Sequence, residues 1–157
     1  MKIQDIIKAL NEEDVAYAVI GGVAVVLYGY VRFTKDIDLI IDFSEANVRR
    51  FIKALSRLQF QPGVPVNPME IADPEKRQEW MQKKNAKVVT FYNPHSQLLQ
   101  IDVLLTKSLS DVTTVKRRID DLEICVVDYE DLIAMKKETG RPTDLIDVEK
   151  LEQLKDS

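Results

Sequence analysis

Three aspartates stand in stretches that are otherwise apolar and strand-like. Asp36 and Asp38 open the run Asp36–Asp42, and Asp102 falls in the middle of Gln97–Leu105. Because alternate residues of a strand share one face, the side chains of Asp36 and Asp38 project together, roughly 7 Å apart along the strand. Two charges ~4 Å apart repel by about 4 kcal/mol at an effective dielectric of ~20. A divalent cation relieves that repulsion, and Mg²⁺ bound by carboxylates and substrate phosphates is the common solution.

Asp102 has two interpretations. A carboxylate inside a buried strand must be paired or bind a metal, because an unpaired buried charge is costly. A surface-facing Asp102 would take no part in a site. An Asp-x-Asp pair is likewise ordinary when it occurs alone, since strand ends often carry solvated aspartates.

A pair of glycines precedes the aspartates. Gly21 and Gly22 end the apolar run Val15–Ile20, and a helical pattern continues from Gly22 to about Tyr30. Glycines at such a junction let the backbone approach a phosphate closely, and helix N-terminal N–H groups favour anions. A Gly-Gly turn alone is a weak signal, because many strand-to-helix turns contain one.

The other elements alternate between strand and helix patterns, which indicates an α/β arrangement. Further strands are expected at Lys87–Tyr92, Gln97–Leu105, Arg118-Ile119 and Leu122–Val127. Further helices are expected from Ile3 to Leu10, over Glu45–Leu58 after the N-cap Ser44, over Pro74–Lys84 after Asp73, over Ser110–Lys116, from the N-cap Asp128 to Gly140, and from the N-cap Thr143 to about Leu154. The proline-rich stretch Gln61–Pro74 is expected to be an irregular loop.

Length and composition limit the function classes. A chain of 157 residues with a net charge of −4 predicts one domain, 1–157, with a core at about 1–127 and a helical pair at about 128–155. No strongly basic footprint for DNA is present, and the local basic clusters are interpreted as solvated faces. One cysteine and one histidine cannot form a Cys/His metal site.

Cellular location follows from three features of the sequence. The apolar segment Val15–Val31 is too short and glycine-rich for a membrane span. The N-terminus begins an amphipathic pattern at once, so no signal peptide is expected. The lone Cys125 cannot form an intramolecular disulfide and lies in an apolar run, so it is expected to be buried in a protein of a reducing compartment. These features predict a cytoplasmic protein that does not enter a membrane.

The motif around the aspartates resembles the polymerase-β-type nucleotidyltransferase superfamily. It reads G-G-x-A-x-x-x-x-G-x-x-R-x-T-x-D-x-D and is filled by Gly21, Gly22, Ala24, Gly29, Arg32, Thr34, Asp36 and Asp38. Within the superfamily, the chain resembles small bacterial enzymes related to the toxins of abortive-infection (type IV) toxin–antitoxin systems. A second motif, L-I-x-x-K-x-x-x-x-R-P-x-D-L-x-D, supports this and is filled by Leu132, Ile133, Lys136, Arg141, Pro142, Asp144, Leu145 and Asp147. Many members carry glycine-serine at the turn, where this chain has Gly22.

The resemblance implies a fold, a cofactor and site roles. The fold would be a central mixed sheet flanked by helices, with C-terminal helices. Asp36, Asp38 and Asp102 would be catalytic and would hold two Mg²⁺ ions, or Mn²⁺, roughly 4 Å apart. Nucleotide and phosphate contacts would come from Gly21, Gly22, Arg32, Thr34 and Lys136.

The resemblance also implies the reaction and the partners. An NTP would give its nucleoside monophosphate to a hydroxyl of a protein or RNA, and pyrophosphate would leave. A cognate antitoxin is a further expected partner. Two other functions stay open: a catalytically silent nucleotide-binding or partner-binding module of the same fold, and a transferase acting on an antibiotic, although no separate acceptor domain is evident.

Three residue roles stay open in the sequence. Lys136 could reach a phosphate, but Lys137 could equally be the inward-facing lysine. Arg141, Asp144 and Asp147 could instead form ion pairs that tie the last two helices together. Trp80 could stack on a base, although packing of its helix onto the core is the simpler use.

Overall fold

The computed structural model describes the backbone of residues 1–157 and every side chain except those of Gln97 and Leu98. The strands are β1 (Tyr17–Ile20), β2 (Asp36–Ile41), β3 (Gln61–Pro62), β4 (Val88–Asn93), β5 (Ser96–Leu104), β6 (Thr114–Ile119) and β7 (Leu122–Val127). The helices are α1 (Ile3–Glu12), α2 (Gly21–Leu27), α3 (Glu45–Arg57), α4 (Pro74–Lys83), α5 (Tyr129–Thr139) and α6 (Pro142–Asp156).

All seven strands form one sheet in the order β3-β4-β5-β2-β1-β7-β6. Strand β2 runs parallel to β5, and β1 runs parallel to β7. The other neighbouring strands pair antiparallel. The predicted α/β class with a mixed central sheet is therefore confirmed.

The two faces of the sheet differ in chemistry. One face is apolar: Ile37 and Leu39 of β2 are buried, and Phe91 of β4 meets Phe51 of α3 edge to face with ring centroids 5.7 Å apart. On the opposite face Asp36 and Asp38 alternate with these residues. Helix α2 begins on that face, where Gly21 lies against Asp38, and α2 packs with α5. On that face, the described side chains of β4 and β5 are in part solvent-accessible.

Local signals explain most element boundaries. The side chain of Ser44 accepts a hydrogen bond from the backbone N–H of Asn47, and Asp73 and Asp128 cap α4 and α5 in the same way. Gly140 ends α5 in the left-handed conformation, which glycine adopts without steric cost. These predicted caps are confirmed.

Three predicted segments differ in the structure. A helix at Ser110–Lys116 is wrong: a short 3-10 turn ends at Asp111, and β6 then pairs with β7 because its β-branched residues suit a strand. Helix α6 begins at Pro142, and the side chain of Asp144, not Thr143, accepts from the backbone N–H of Arg141. The proline-rich loop contains β3 and a 3-10 turn.

Several smaller predictions also have an outcome. Trp80 is buried in the core, so packing, not base stacking, is its role. Cys125 is only partly buried, and His95 is exposed in the β4–β5 turn. Among the described residues, no helix combines the length and the apolar character that crossing a bilayer would require.

An ion-pair network joins α5, α6 and the connector between α2 and β2. Lys136 Nζ lies 3.0 Å from both Asp144 Oδ1 and Asp147 Oδ2. The guanidinium of Arg32 contacts both oxygens of Asp147 at 2.8 Å, and Arg141 Nε contacts Asp144 at 2.8 Å. The inward lysine is therefore Lys136, and the expected ion pairs between the last two helices are present.

Replacing Lys136 with methionine should destabilise the fold strongly, because it leaves two buried carboxylates without their shared cation. A loss of about 3–5 kcal/mol in unfolding free energy is expected, measured by urea denaturation. The matched control is Lys137→Met, whose side chain is 59% exposed and whose loss should stay within about 0.5 kcal/mol. Equal effects of the two substitutions would contradict a central structural role for Lys136.

Candidate active site

The parallel register of β2 and β5 brings the three aspartates together. Asp38 lies directly beside Asp102, and Asp36 lies beside Gln100. Paired residues of neighbouring strands point to the same face, about 4.8 Å apart in the hydrogen-bonding direction. Asp102 therefore belongs to the face of Asp36 and Asp38, and the surface-facing alternative that would separate it from them does not occur.

Electrostatics of the cluster show that the carboxylates repel one another. Burial, and then the neighbouring Asp102 and Asp36, raise the pKa of Asp38 to about 7. Burial and then Asp102 also raise the pKa of Asp36. One oxygen of Asp36, Oδ1, is buried without a hydrogen-bond partner among the described residues. A cation placed here would ligate that oxygen and remove the repulsion.

These donors fit a metal that is bound jointly with a substrate. Within the described part of the chain, no group of three Asp, Glu, His or Cys side chains is arranged to hold a metal on its own. Mg²⁺ is usually held by one or two carboxylates, with waters and substrate phosphates as its remaining ligands. An all-oxygen donor set with one unpartnered buried oxygen matches that requirement.

The glycine turn lies against the carboxylates. Gly21 has a φ of +65°, and a Cβ atom there would overlap the carboxylate of Asp38. Only glycine meets both conditions, the left-handed backbone and the missing side chain. A Cβ on Gly22 would lie 2.9 Å from Thr34 Oγ1 and 3.1 Å from Arg32 Nη2. The turn, the connector and β2 thus converge at one place.

The other predicted phosphate contacts are near this place but already have partners. Arg32 is held by Asp147, and the Thr34 hydroxyl donates to the carbonyl of Asp36 at 3.2 Å. Lys136 is only 6% exposed and is close enough to lower the pKa of Asp38. Lys136 therefore acts as a counter-charge to the cluster. Direct phosphate contact by Arg32, Thr34 and Lys136 stays a prediction.

Thr90 is a site residue that the sequence did not reveal. It lies opposite Asp102 in the β4–β5 ladder, and its hydroxyl donates to Asp102 Oδ1 at 2.6 Å. This bond fixes the orientation of the carboxylate and leaves the second oxygen of Asp102 for other contacts. The only signal in the sequence would have been the hairpin register.

An irregularity in the β4–β5 hairpin sets that register. Asn93 pairs with Ser96, whereas Tyr92 pairs with Gln100, so one step along β4 corresponds to four along β5. The displacement of three residues is odd, and an odd shift exchanges the two faces of a strand. With regular pairing, Thr90 would therefore point into the core instead of toward Asp102.

Comparison with known families identifies the class of this protein. A family model described as "Nucleotidyltransferase of unknown function (DUF6036)" matches residues 1–156. The chain therefore belongs to that nucleotidyltransferase family, and the prediction of a nucleotidyltransferase enzyme is confirmed at this level. No curated protein matches the sequence.

Three solved structures share the fold. The lincosamide antibiotic adenylyltransferase LnuA, lincomycin-bound, has 15% identity and a TM-score of 0.64, with 97% of each chain covered. An antigenic nucleotidyltransferase-like protein from Paracoccidioides brasiliensis has 17% identity and a TM-score of 0.59, covering 97% of this chain and 74% of that one. ANT(2")-Ia, in complex with adenylyl-2"-tobramycin, has 14% identity and a TM-score of 0.58, covering 95% and 84%.

Stability should depend on pH through Asp38. Its pKa is about 7 in the folded protein against 3.8 for an ordinary aspartate, so the folded state binds more protons between these values. Unfolding free energy therefore falls as the pH rises from about 4 to about 7. Asp38→Asn should raise stability at pH 8 by about 1–2 kcal/mol, or roughly 2–8 °C in Tm, after allowance for solvent screening.

Thermal unfolding at pH 5 and pH 8 measures this effect in the metal-free protein. The gain from Asp38→Asn should shrink at pH 5, where the wild-type carboxyl is largely protonated. Asp121→Asn, in an exposed turn, serves as the control without a gain. A gain for Asp38→Asn that is the same at both pH values would contradict the raised pKa of Asp38.

Thr90→Val should weaken metal binding, because it removes the donor to Asp102 while keeping the shape of the side chain. A loss of about 10–100-fold in Mn²⁺ affinity is expected in the presence of NTP, measured by electron paramagnetic resonance. Thr90→Ser keeps the hydroxyl and should bind Mn²⁺ as the wild type does. Equal affinities of the valine and serine variants would show that this bond does not position Asp102.

Proposed function

We propose that this protein is a Mg²⁺-dependent nucleotidyltransferase that moves a nucleoside monophosphate from an NTP to a hydroxyl of a protein or RNA. The observation that carries the proposal is the β2–β5 register, which aligns Asp38 with Asp102 beside Asp36 and against Gly21. The family to which the chain belongs supports the same reaction class.

Each part of the site has a role in this proposal. The turn at Gly21 and Gly22 would present backbone N–H groups to the triphosphate as donors. Asp36 and Asp38 would hold Mg²⁺ with the phosphates, and Asp102 would hold it on the acceptor side. When bound, the metal would neutralise the phosphate charge and make the acceptor hydroxyl more acidic.

The transfer itself is an in-line displacement. The acceptor oxygen forms a bond to the α-phosphorus, and the bond from that phosphorus to the β-phosphate oxygen breaks. Asp102 takes up the hydroxyl proton, and pyrophosphate leaves with the bonding electrons. Arg32, Thr34 and Lys136 are proposed to stabilise the nucleotide from the flank of Gly22, through contacts or through their charge.

Two alternatives differ in their support. A silent binding module of this fold would not need three carboxylates in one cluster, so the geometry of Asp36, Asp38 and Asp102 argues against it. A small-molecule acceptor is the second candidate. LnuA, an antibiotic adenylyltransferase, aligns with this chain over 97% of both lengths, so lack of a separate acceptor domain is no argument against such an acceptor.

Similarity to the abortive-infection toxins is supported by the two sequence motifs alone. We extend the proposal to a cognate antitoxin on that basis. Co-expression with the product of an adjacent gene, followed by co-purification, tests it. A cytoplasmic location is part of the same proposal.

Asp36→Ala should abolish the binding of NTP with Mg²⁺, because it removes a carboxylate shared by metal and nucleotide. A loss of at least about 100-fold in affinity is expected, measured by isothermal titration calorimetry. The same variant should transfer no label from α-³²P-NTPs to components of a cell extract. Asp121→Ala is the control, and full NTP binding by Asp36→Ala would contradict the proposal.

The acceptor class follows from the labelled product of the same reaction. Product destroyed by protease indicates a protein, product destroyed by ribonuclease indicates RNA, and label on a small molecule indicates the second candidate. A wild-type protein that binds NTP but labels nothing in any extract would favour the silent module.

A further inference from the structure

A second row of side chains crosses the sheet next to the carboxylates. Asp36 on β2 pairs with Gln100 on β5, Gln100 pairs with Tyr92 on β4, and Tyr92 pairs with Gln61 on β3. Paired residues point to the same face, so an aromatic ring stands between two amides on the face of the aspartates. At about 4.8 Å per strand, Tyr92 lies about 10 Å from Asp36.

The ring of Tyr92 is both exposed and held in place. Its exposed fraction is 44%, although it belongs to a strand in the middle of one half of the sheet. A Cβ on Gly63 would lie 2.8 Å from Tyr92 Cδ2, so the ring rests across the glycine backbone. The backbone N–H of Gly63 donates to the carbonyl of Thr90 at 2.9 Å, which fixes that support.

Core packing does not explain why Tyr92 occupies this face. The three-residue displacement in the hairpin directs Tyr92 and Thr90 to the carboxylate face, while Phe91 and Val89 enter the core. Hairpin irregularities of this kind are frequent beside active sites, where they re-aim side chains. Thr90 serves Asp102, and Tyr92 lies in the next row on the same surface.

The geometry of phosphoryl transfer indicates whether this surface faces the leaving group or the acceptor. Across the sheet, Asp36 and Asp38 on β2 lie between the glycine turn after β1 and the strands β5 and β4. In an in-line displacement the attacking and leaving oxygens lie on opposite sides of the phosphorus. With the leaving phosphates at Gly21, the acceptor approaches over β5 and β4, where Tyr92 and Gln100 lie.

We propose that Gln61, Tyr92 and Gln100 form the acceptor subsite and bind the terminal nucleobase of single-stranded RNA. This inference rests on the proposed nucleotidyl transfer and chooses RNA over protein as the acceptor. An exposed aromatic ring on a sheet surface stacks a base, and flanking amides bond to the base edge. A nucleobase carries several donors and acceptors along the edge of one planar ring and can bond to both amides, whereas an aromatic side chain of a protein carries at most one or two such groups.

Binding of a labelled RNA tests the subsite directly. The probe is a 5′-fluorescein single-stranded RNA 12-mer, and its Kd for the full chain is measured by fluorescence anisotropy with Mg²⁺. Tyr92→Ala should raise this Kd about 5- to 100-fold, as expected for loss of one stacked base. Tyr92→Phe keeps the ring and should bind within about 2-fold of the wild type.

Two further variants and a control sharpen the experiment. Gly63→Ala displaces the ring without removing it and should weaken RNA binding by an intermediate amount. The Kd of the wild type should differ among probes that end in A, C, G or U, and Gln100→Ala should reduce these differences. The matched control is Ile119→Ala on the remote edge strand β6. The exposed fraction of Ile119, 43%, is close to that of Tyr92, and the Kd of this variant for RNA should equal that of the wild type.

Calorimetry of NTP binding in the same preparations separates the two levels of the proposal. Unchanged NTP affinity in Tyr92→Ala, with weaker RNA binding, supports the acceptor subsite. Weaker NTP binding in that variant would overturn it, because Tyr92 would then hold the base of the NTP. If the wild type binds NTP normally but its RNA binding is absent or does not change on substitution of Tyr92, the subsite alone is overturned. If the wild type binds no NTP, the proposed function is overturned as well.

Discussion

Mutual repulsion among three carboxylates is the constraint on which this structure depends. The parallel pairing of β2 with β5 places Asp38 beside Asp102, with Asp36 one row away. Backbone hydrogen bonds fix this register, so the side chains cannot separate without loss of the ladder. Burial and this repulsion together raise the pKa of Asp38. A site that is unfavourable when empty becomes favourable when a cation and phosphates arrive together.

The surrounding elements balance that charge from one flank. Three cations, Arg32, Lys136 and Arg141, share two carboxylates, Asp144 and Asp147, which leaves one positive charge beside the cluster. Burial alone would raise the pKa of Asp144, but hydrogen bonds from Arg141, Thr139 and Lys136 outweigh it and hold the pKa well below its ordinary value.

This network also connects the C-terminal helices to the site. Arg32 stands in the connector that faces Gly22, and its partner Asp147 belongs to α6. Loss of α5 or α6 would therefore disrupt the ion pairs that hold the connector and Lys136, whose charge lowers the pKa of Asp38. The helical pair is thus a part of the site's electrostatics and not only a cover for the core.

The sequence predicted the parts of the site that local patterns determine. Spacing placed Asp36 and Asp38 on one face, and apolar runs located β2 and β5. Parallel pairing between two distant strands has no local signal, so the contact of Asp38 with Asp102 needed the family resemblance. The position of Thr90 and Tyr92 could not be predicted, because an odd displacement in the hairpin exchanges the faces of β4.

Helix ends show the same limit on a smaller scale. Ser44, Asp73 and Asp128 cap helices within their own turn, where sequence suffices. The N-terminus of α6 instead depends on Asp144, which is also held by Lys136 from another helix. The bond to Arg141 is local, but the ion pair of Asp144 with Lys136 is created by the packing of α5 on α6, which sequence spacing does not give.

The most direct measurement is the anomalous diffraction of Mn²⁺ in crystals grown with a non-hydrolysable NTP analogue. The account predicts a peak roughly 2–2.3 Å from carboxylate oxygens of Asp36 and Asp38, with the triphosphate at Gly21 and Gly22 and Asp102 facing the open acceptor side. Bound nucleotide with no peak at these carboxylates, or a peak held by other residues, would contradict it.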